Sequence, residues 1–202
     1  MTFRWLFAHL CLTPIAKILL GLKTYGYEHI PAGPVIFASN HISLLDPPVL
    51  GCAVKREVYF VAKAELFEIR RFFTWLISYF NAISIRRERD FKALKRVLAI
   101  LKRKGSVVIF PEGTRSLIGE LLPFQPGVGL VALKSRVPVV PVYIKNSDAT
   151  IIDMILRRKP LKVFFSRPII PNGYPVTREG YSRFTKLLRE KVLSLQDENK
   201  DS

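Results

Sequence analysis

A histidine and an aspartate stand five residues apart in the segment SNHISLLDPP, residues 39–48. Histidine is the side chain whose ordinary pKa best suits proton transfer near neutral pH. An aspartate that accepts a hydrogen bond from one ring nitrogen would fix the tautomer and leave the other nitrogen free to take a proton. Because a spacing of five residues does not put both side chains on one helix face, the His41–Asp46 pair needs a turn. The alternative is a structural role, in which Asp46 caps a helix whose first turn contains Pro47.

A second polar segment, FPEGTRS at residues 110–116, follows the apolar run SVVI. Gly113 allows a close backbone approach to a ligand, and the planar fork of Arg115 suits a phosphate group. Glu112 could bind a substrate hydroxyl or hold Arg115 in place. The alternative is an ordinary turn with a solvent-facing arginine.

Two further arginines, Arg86 and Arg87, follow the run FNAISI. A strand over this run would deliver both arginines to the edge of the sheet. They could form a second phosphate clamp. They could equally belong to a solvated basic face that continues into Arg89.

The charge of the chain points to an anionic partner. Its 202 residues carry 32 lysines and arginines against 16 aspartates and glutamates, a formal net charge of +16. The partner could be a nucleic acid, an anionic lipid surface, a phosphorylated substrate or an acidic carrier protein. The aromatic residues cluster in apolar runs and do not interleave with basic residues, which argues against a nucleic-acid platform. Extra solubilising lysines are the alternative explanation.

The elements that would position these residues alternate between strands and helices. Short apolar runs predict strands at VIFAS, VYFVA, SVVIF, VPVVPVYI and LKVFF. Apolar stripes and end signals predict helices over residues 90–104, 127–135 and 177–196. This alternation predicts an α/β fold with a mixed, largely buried β-sheet flanked by helices.

The N-terminal segment WLFAHLCLTPIAKILLGL is apolar but interrupted by Pro14 and Lys17. It falls short of the roughly 18 uncharged apolar residues expected of a spanning helix. We therefore expect an interfacial or re-entrant helix, with Arg4 and Trp5 near the lipid headgroups. A transmembrane helix and an ordinary core helix are the alternatives.

We divide the chain into a membrane-associating helical segment, residues 1–24, and an α/β domain, residues 25–202. The apolar residues 64–80 predict a helix that is either a second membrane contact or part of the core. Cys11 and Cys52 make neither a disulfide framework nor a metal-site spacing. This fits a reducing, cytosol-facing compartment.

Four ordered blocks carry a family resemblance. NHISLLD at residues 40–46 contains His-x-x-x-x-Asp, and NAISIRR, FPEGTRS and VPVVPV follow at residues 81–87, 110–116 and 137–142. Together they resemble the glycerophospholipid acyltransferase superfamily, specifically the 1-acyl-sn-glycerol-3-phosphate acyltransferases. The second block departs from the family pattern, because Asn81 stands where glycine is usual and Ser84 replaces a commoner Phe or Pro.

The resemblance implies a role for each matching position. His41 would be the general base on the acceptor's free hydroxyl, and Asp46 would orient it. Substrate binding would fall to residues of all four blocks: Asn40, Arg86, Arg87, Glu112, Gly113, Thr114, Arg115 and Pro138. Of these, Glu112, Gly113 and Arg115 would bind the glycerol phosphate, and Pro138 would help shape the acyl or acceptor site.

The resemblance also implies a reaction, the transfer of a fatty acyl group from acyl-CoA or acyl carrier protein to 1-acyl-sn-glycerol 3-phosphate. We expect direct attack without an acyl-enzyme, with Ser43 and Cys52 as the rival nucleophiles, and neither a metal nor another cofactor. The partners would be the lysophospholipid, the acyl donor and an anionic membrane surface on the cytoplasmic side, with no nucleic acid. The alternatives are another acceptor, such as glycerol 3-phosphate, another lysophospholipid or a lyso-aminolipid, and a non-catalytic basic binding module.

Overall fold

The structure, a computed structural model, describes residues 2–63, 81–85 and 91–200. The helices in these ranges are α1 (Phe3–Ile18), α2 (Asp46–Ala53), α3 (Phe91–Lys102), α4 (Gly127–Ser135), α5 (Ile151–Ile155) and α6 (Arg178–Glu198). The strands are β1 (Lys23–Tyr25), β2 (Ile36–Ser39), β3 (Val58–Lys63), β4 (Ala82–Ile85), β5 (Ser106–Ile109), β6 (Val139–Lys145) and β7 (Lys162–Phe165). A single 3₁₀ turn, Tyr27–His29, follows β1 within the described part of the chain.

The described strands form one mixed sheet in the order β1-β7-β6-β2-β5-β3-β4. Strands β6, β2, β5, β3 and β4 are mutually parallel, whereas β7 runs antiparallel to β6 and β1 runs parallel to β7. The five parallel strands therefore end at one edge of the sheet, and β7 and β1 begin there. We call this edge the carboxyl edge. Ligand sites in open parallel sheets lie characteristically outside this edge.

The sheet is buried on both faces because its central strands carry apolar side chains in both directions. Ile36 and Ala38 pack with α3, α4 and α6 on one face. Their neighbour Phe37 packs with α1 and α2 on the other, as the two-residue period of a strand requires. The predicted α/β fold with a mixed sheet flanked by helices is confirmed.

Helix α1 packs on the domain through one face and leaves the other exposed. Trp5 is 3% exposed and belongs to the same core cluster as Phe37, so the expectation that Trp5 faces lipid headgroups is wrong. The outer face carries exposed apolar side chains, including Phe3, Phe7 and Leu10. Among the described residues no helix is both long and apolar enough to cross a bilayer.

Most of the predicted strands and helices are present in the structure at the predicted residues. The strands from VIFAS, VYFVA, SVVIF, VPVVPVYI and LKVFF are present, and so are the helices α3, α4 and α6. Two elements differ. The sequence YGYEHIPAGP, residues 25–34, predicts a short strand and turn, whereas β1 overlaps it only at Tyr25, and the short helix α5 was not predicted. The predicted helix at residues 64–80 lies outside the described residues.

Candidate active site

The loop that leaves β2 at the carboxyl edge brings His41 and Asp46 together. His41 Nδ1 lies 2.7 Å from Asp46 Oδ2. The backbone N–H groups of Ile42 and Ser43 also donate to this oxygen, each at 2.8 Å. The required turn therefore surrounds the Asp46 carboxylate, which accepts three hydrogen bonds from the loop.

Asp46 is the first residue of α2, and Leu45 occupies the N-cap position. The expectation that Asp46 caps this helix is therefore wrong: its carboxylate turns back to the preceding loop, while the prolines that follow it suit the first turn. A carboxylate that takes two backbone N–H donors is an acceptor only. Nδ1 of His41 consequently carries the hydrogen of this bond, and Nε2 is left able to accept a proton.

The Asp46 side chain is fully buried, and its second oxygen, Oδ1, has no hydrogen-bond partner within the described ranges. All the described polar contacts of this carboxylate thus converge on Oδ2. Its negative charge is directed at the His41 ring and the two loop amides.

The His41 ring is held on its flat side as well as at Nδ1. It stacks on Phe110, the residue after β5, with ring centroids 4.3 Å apart and an angle of 25° between the planes. The ring is 14% exposed. The His41 carbonyl accepts a hydrogen bond of 2.8 Å from the Ser116 N–H. The FPEGTRS segment thus supports the histidine from the neighbouring strand.

Glu112 is turned inward and bonds the chain's own backbone. Its Oε1 accepts from the His41 N–H at 2.7 Å, and its Oε2 accepts from the Leu122 N–H at 2.9 Å. Its side chain is buried, with 4% of the residue exposed. In this structure Glu112 therefore neither faces a substrate phosphate nor holds Arg115, contrary to expectation. It positions the backbone of the catalytic loop.

Burial raises the pKa of Glu112 above its ordinary value, although the two backbone N–H donors oppose this shift. The position therefore combines a desolvated carboxylate with two directed hydrogen bonds. Such a group is costly to bury unless it is paired, which fits a positioning role.

The three residues after Glu112, namely Gly113, Thr114 and Arg115, are exposed. Gly113 has φ of +71°, a conformation that favours glycine, and its N–H donates to the Phe110 carbonyl at 3.1 Å. The tight turn by itself favours a glycine at this position. Arg115 directly precedes Ser116, whose N–H bonds the His41 carbonyl.

Asn40 is buried and bonds β6. Its Nδ2 donates to the Ile144 carbonyl at 2.9 Å, and its Oδ1 accepts from the Ile144 N–H at 2.7 Å. Asn40 was expected to hold the loop backbone or to bind substrate, and in this structure its amide holds backbone. The paired amide fixes the start of the catalytic loop to the neighbouring strand.

Pro138 precedes β6, and its carbonyl accepts from the N–H of Ile36 at the start of β2. His41 lies past the other end of β2, five residues later. At about 3.3 Å per residue this is roughly 17 Å of extended chain. Pro138 therefore lies at the opposite edge of the sheet from His41, and its expected part in the acyl or acceptor site stays a prediction.

The second block lies partly outside the described residues, and Arg86 and Arg87 fall in the part that is not described. Its first residue, Asn81, has φ of +53°. Asparagine is one of the few residues that tolerate this left-handed conformation, and its side chain donates to Glu57 at 3.0 Å. The usual glycine and this asparagine thus meet the same backbone requirement.

The roles of two residues that support the site were not predicted from the sequence. Arg189 of α6 donates from Nε to the Leu122 carbonyl at 3.2 Å and from Nη2 to the Leu121 carbonyl at 2.9 Å. Phe110 belongs to the FPEGTRS block, but its stacking against His41 was not predicted. Helix periodicity puts Arg189 on a helix face, but nothing in the sequence links it to a loop 67 residues earlier.

The rival nucleophiles are poorly placed for attack. Cys52 is buried, and burial raises the pKa of its thiol, although a hydrogen bond with Thr13 opposes the shift. The thiol rather than the nucleophilic thiolate is therefore favoured. Ser43 Oγ accepts from the Leu45 N–H at 3.2 Å within the loop.

A His–Asp pair at the carboxyl edge of an α/β sheet is an arrangement that can serve general-base chemistry. Residues 21–145 match the sequence model of the Acyltransferase family. The chain belongs to this family.

Two relatives and one solved structure illustrate the similarity. The chain is 31% identical over 171 residues to the chloroplastic 1-acyl-sn-glycerol-3-phosphate acyltransferase BAT2 of Brassica napus, covering 77% of this chain and 49% of that one. It is 29% identical over 200 residues to a 1-acyl-sn-glycerol-3-phosphate acyltransferase of Saccharomyces cerevisiae, covering 94% and 65%. The chain thus spans about half to two thirds of the length of these relatives.

The fold is similar to that of the 1-acyl-sn-glycerophosphate (LPA) acyltransferase PlsC from Thermotoga maritima. The TM-score is 0.71 at 26% identity, and the match covers 100% of this chain and 85% of that one. The similarity therefore extends over the whole sheet and its flanking helices.

Proposed function

We propose that this protein transfers a fatty acyl group from a thioester donor to the free hydroxyl of 1-acyl-sn-glycerol 3-phosphate, giving phosphatidic acid. The observation that carries the proposal is the His41–Asp46 hydrogen bond of 2.7 Å at the carboxyl edge. It leaves Nε2 of His41 as the proton acceptor. The named activity of the similar proteins supports the choice of acceptor.

In the proposed reaction, Nε2 of His41 takes the proton of the acceptor hydroxyl as its oxygen attacks the thioester carbonyl. Asp46 stabilises the imidazolium that forms. The tetrahedral intermediate then collapses to the ester and expels the thiolate. The thiolate takes from His41 the proton that came from the acceptor hydroxyl, and it leaves as a thiol. General-base catalysis of this kind contributes typically about 10²- to 10⁴-fold.

The acceptor's phosphate is assigned to the exposed turn of Gly113, Thr114 and Arg115. Arg115 supplies a fixed charge that can bind phosphate through two N–H groups. The turn is close to the catalytic loop because the next residue, Ser116, donates to the His41 carbonyl. Arg86 and Arg87 are proposed as further phosphate contacts.

The donor is proposed to be acyl-CoA or acyl carrier protein, both of which are anionic. A net charge of +16 favours the approach of either one. We further propose that the protein is membrane-associated on the cytoplasmic face, through the outer apolar face of α1. Its exposed Phe3, Phe7 and Leu10 support an interfacial position.

The test is thiol release from acyl-CoA by detergent-purified protein, with and without 1-acyl-sn-glycerol 3-phosphate. We expect release that requires the lysolipid and falls at least about 10²-fold in His41→Ala. Glycerol 3-phosphate and lysophosphatidylcholine, compared at a fixed donor, test the acceptor, and acyl carrier protein replaces CoA if no release occurs. Release that persists in His41→Ala would remove the pair from the mechanism.

A further inference from the structure

Helix α5 exposes apolar side chains that the proposed reaction does not use. Met154 is its only buried residue. The outward side chains of α5, its C-cap residue and the adjoining end of α1 are all 48–70% exposed. They are Ile18, Leu19, Ile151, Ile152, Ile155 and Leu156. We call these six residues the α1–α5 surface.

Arg157 fastens the two parts of this surface together. Its guanidinium donates to the carbonyls of Ile18 and Leu19 at the C-terminal end of α1. The last carbonyls of a helix carry the negative end of its dipole, so a cation is favoured there. The end of α1 is therefore held next to the segment that follows α5.

Basic side chains border the α1–α5 surface. Lys17, Arg158 and Lys159 are exposed beside it. The acidic residue of α5 is Asp153. Its Oδ1 lies 3.9 Å from Nη1 of Arg158, and its Oδ2 accepts a hydrogen bond of 2.7 Å from the Thr150 hydroxyl. An apolar face with a basic border complements an anionic lipid surface, where each nearby Lys or Arg contributes about 1 kcal/mol.

The position of this surface relates it to the active site. Helix α5 follows β6 and precedes β7, so it lies at the carboxyl edge. The end of α1 lies at the same edge because the Leu20 carbonyl accepts from the Leu161 N–H just before β7. Strand β6 is the direct neighbour of β2, which leads to His41.

From these observations we propose that the α1–α5 surface docks on an anionic lipid bilayer and places the carboxyl edge against it. This extends the membrane association proposed for α1 to an element that follows β6. The lysolipid could then enter the site with its acyl chain still in the bilayer. The docking itself does not depend on which acceptor is used.

The test is flotation of the full chain with vesicles of phosphatidylcholine alone or of phosphatidylcholine mixed with anionic phosphatidylglycerol. Ile151→Ser/Ile152→Ser should weaken partition into anionic vesicles by at least about tenfold, because burial of each side chain is lost. The matched control is Ile170→Ser/Val176→Ser, since both residues are exposed and follow β7 at the opposite edge. The control should bind as the wild type does.

The charge is tested by Arg158→Gln/Lys159→Gln against Arg167→Gln/Arg183→Gln. Arg158→Gln/Lys159→Gln should lower both the binding to anionic vesicles and the salt dependence of that binding. Arg167→Gln/Arg183→Gln should lower these two quantities less. Equal effects of the two pairs would overturn the basic border as part of the site. Unchanged partition of the α5 variant would overturn the proposal as a whole.

A direct readout covers the case in which the double variant fails to fold. Tryptophan introduced as Ile152→Trp should be quenched by lipids with brominated chains beyond the wild-type level, and Ile170→Trp should not. Absence of the extra quenching would contradict docking. A variant-dependent loss of self-association without loss of vesicle binding would assign the surface to a second copy instead.

Acyl transfer to acceptor dispersed in detergent separates this proposal from the proposed function. Ile151→Ser/Ile152→Ser should retain wild-type transfer in detergent. Vesicle binding through α5 by a protein that transfers no acyl group would overturn the function and leave the docking proposal standing. Acyl transfer by a protein whose vesicle binding is unchanged by the α5 substitutions would support the proposed function and overturn the docking proposal.

Discussion

At the scale of single residues, the site depends on the three hydrogen bonds that Asp46 Oδ2 accepts. His41 Nδ1 provides one, and the loop amides of Ile42 and Ser43 provide the others. The same oxygen therefore shapes the loop and sets the tautomer. Shape and charge can be separated at this position by replacing the carboxylate with an amide.

Asp46→Asn should fold but lose activity. The amide oxygen can take the place of Oδ2, while the NH₂ group falls where Oδ1 has no partner among the described residues. The negative charge that stabilises imidazolium is lost, so kcat should fall by about 10²- to 10⁴-fold. Steady-state kinetics and thermal melting measure the two effects. A near-normal kcat in a folded variant would contradict the role of Asp46.

Glu112 predicts a specific dependence of stability on pH. Its folded-state pKa is raised above the ordinary value of 4.5 because it is buried. The folded state therefore binds more protons than the unfolded state between 4.5 and the raised value, and stability falls as pH rises through that window. Below 4.5 the contribution is fully present.

The measurement is Tm against pH for the wild type, Glu112→Gln and the control Glu120→Gln, which alters an exposed residue of the same loop. The wild type should lose Tm relative to Glu112→Gln as pH rises above 4.5. Glu120→Gln should follow the wild type. A wild type that gains Tm relative to Glu112→Gln over this window would reverse the sign and contradict the prediction.

The sequence predicted the residues of the site better than their orientations. The five-residue spacing of His41 and Asp46 correctly called for a turn. Glu112 was expected to face a ligand, yet it points inward, because a loop has no periodicity from which a side-chain direction can be read. A backbone-holding role was among the expectations for Asn40, but its partner Ile144, 104 residues away, could not be identified from the sequence.

At the scale of elements, helix α6 supports the catalytic loop from a distance. Arg189 holds the carbonyls of Leu121 and Leu122, and the Leu122 N–H bonds Glu112, which in turn bonds the His41 N–H. This series of contacts joins α6 to His41. Its effect should be seen in the placement of His41 rather than in substrate affinity.

Arg189→Met should therefore lower kcat by about 3- to 10-fold with little change in KM, since a small displacement of a catalytic group is costly. Hydrogen bonds to charged groups contribute about 1.5–3 kcal/mol, and partial exposure reduces the expected stability loss to about 1–2 kcal/mol. The control is Lys186→Met on the exposed part of the same helix. A loss of stability with an unchanged kcat would limit Arg189 to a structural role.

The elements that the sequence missed or shifted are the short ones. Helix α5 has five residues and β1 has three, too few for a period of 3.6 or 2 to be recognised. Their positions come from tertiary contacts, such as the Arg157 bonds to the end of α1. The longer strands and α3, α4 and α6 were predictable because each buries a repeating apolar face.

At the scale of the whole molecule, the polar site, the exposed Arg115 turn and the α1–α5 surface all lie at the carboxyl edge. The opposite edge carries the start of β2 and Pro138. This division follows from the parallel strands, which deliver their loops to one side. Donor and acceptor would therefore meet at one edge, and the reaction should proceed through a complex that contains both.

This arrangement predicts sequential kinetics. Cys52 is buried with a raised thiol pKa, and the Ser43 hydroxyl is bonded within its own loop. Neither is set to form an acyl-enzyme, so double-reciprocal plots at several acceptor concentrations should intersect. Cys52→Ala and Ser43→Ala should each keep kcat within about tenfold, well short of the loss that removal of a covalent nucleophile causes. Parallel plots, or an acyl group found on Ser43 by mass spectrometry, would show that the acyl group passes through the protein.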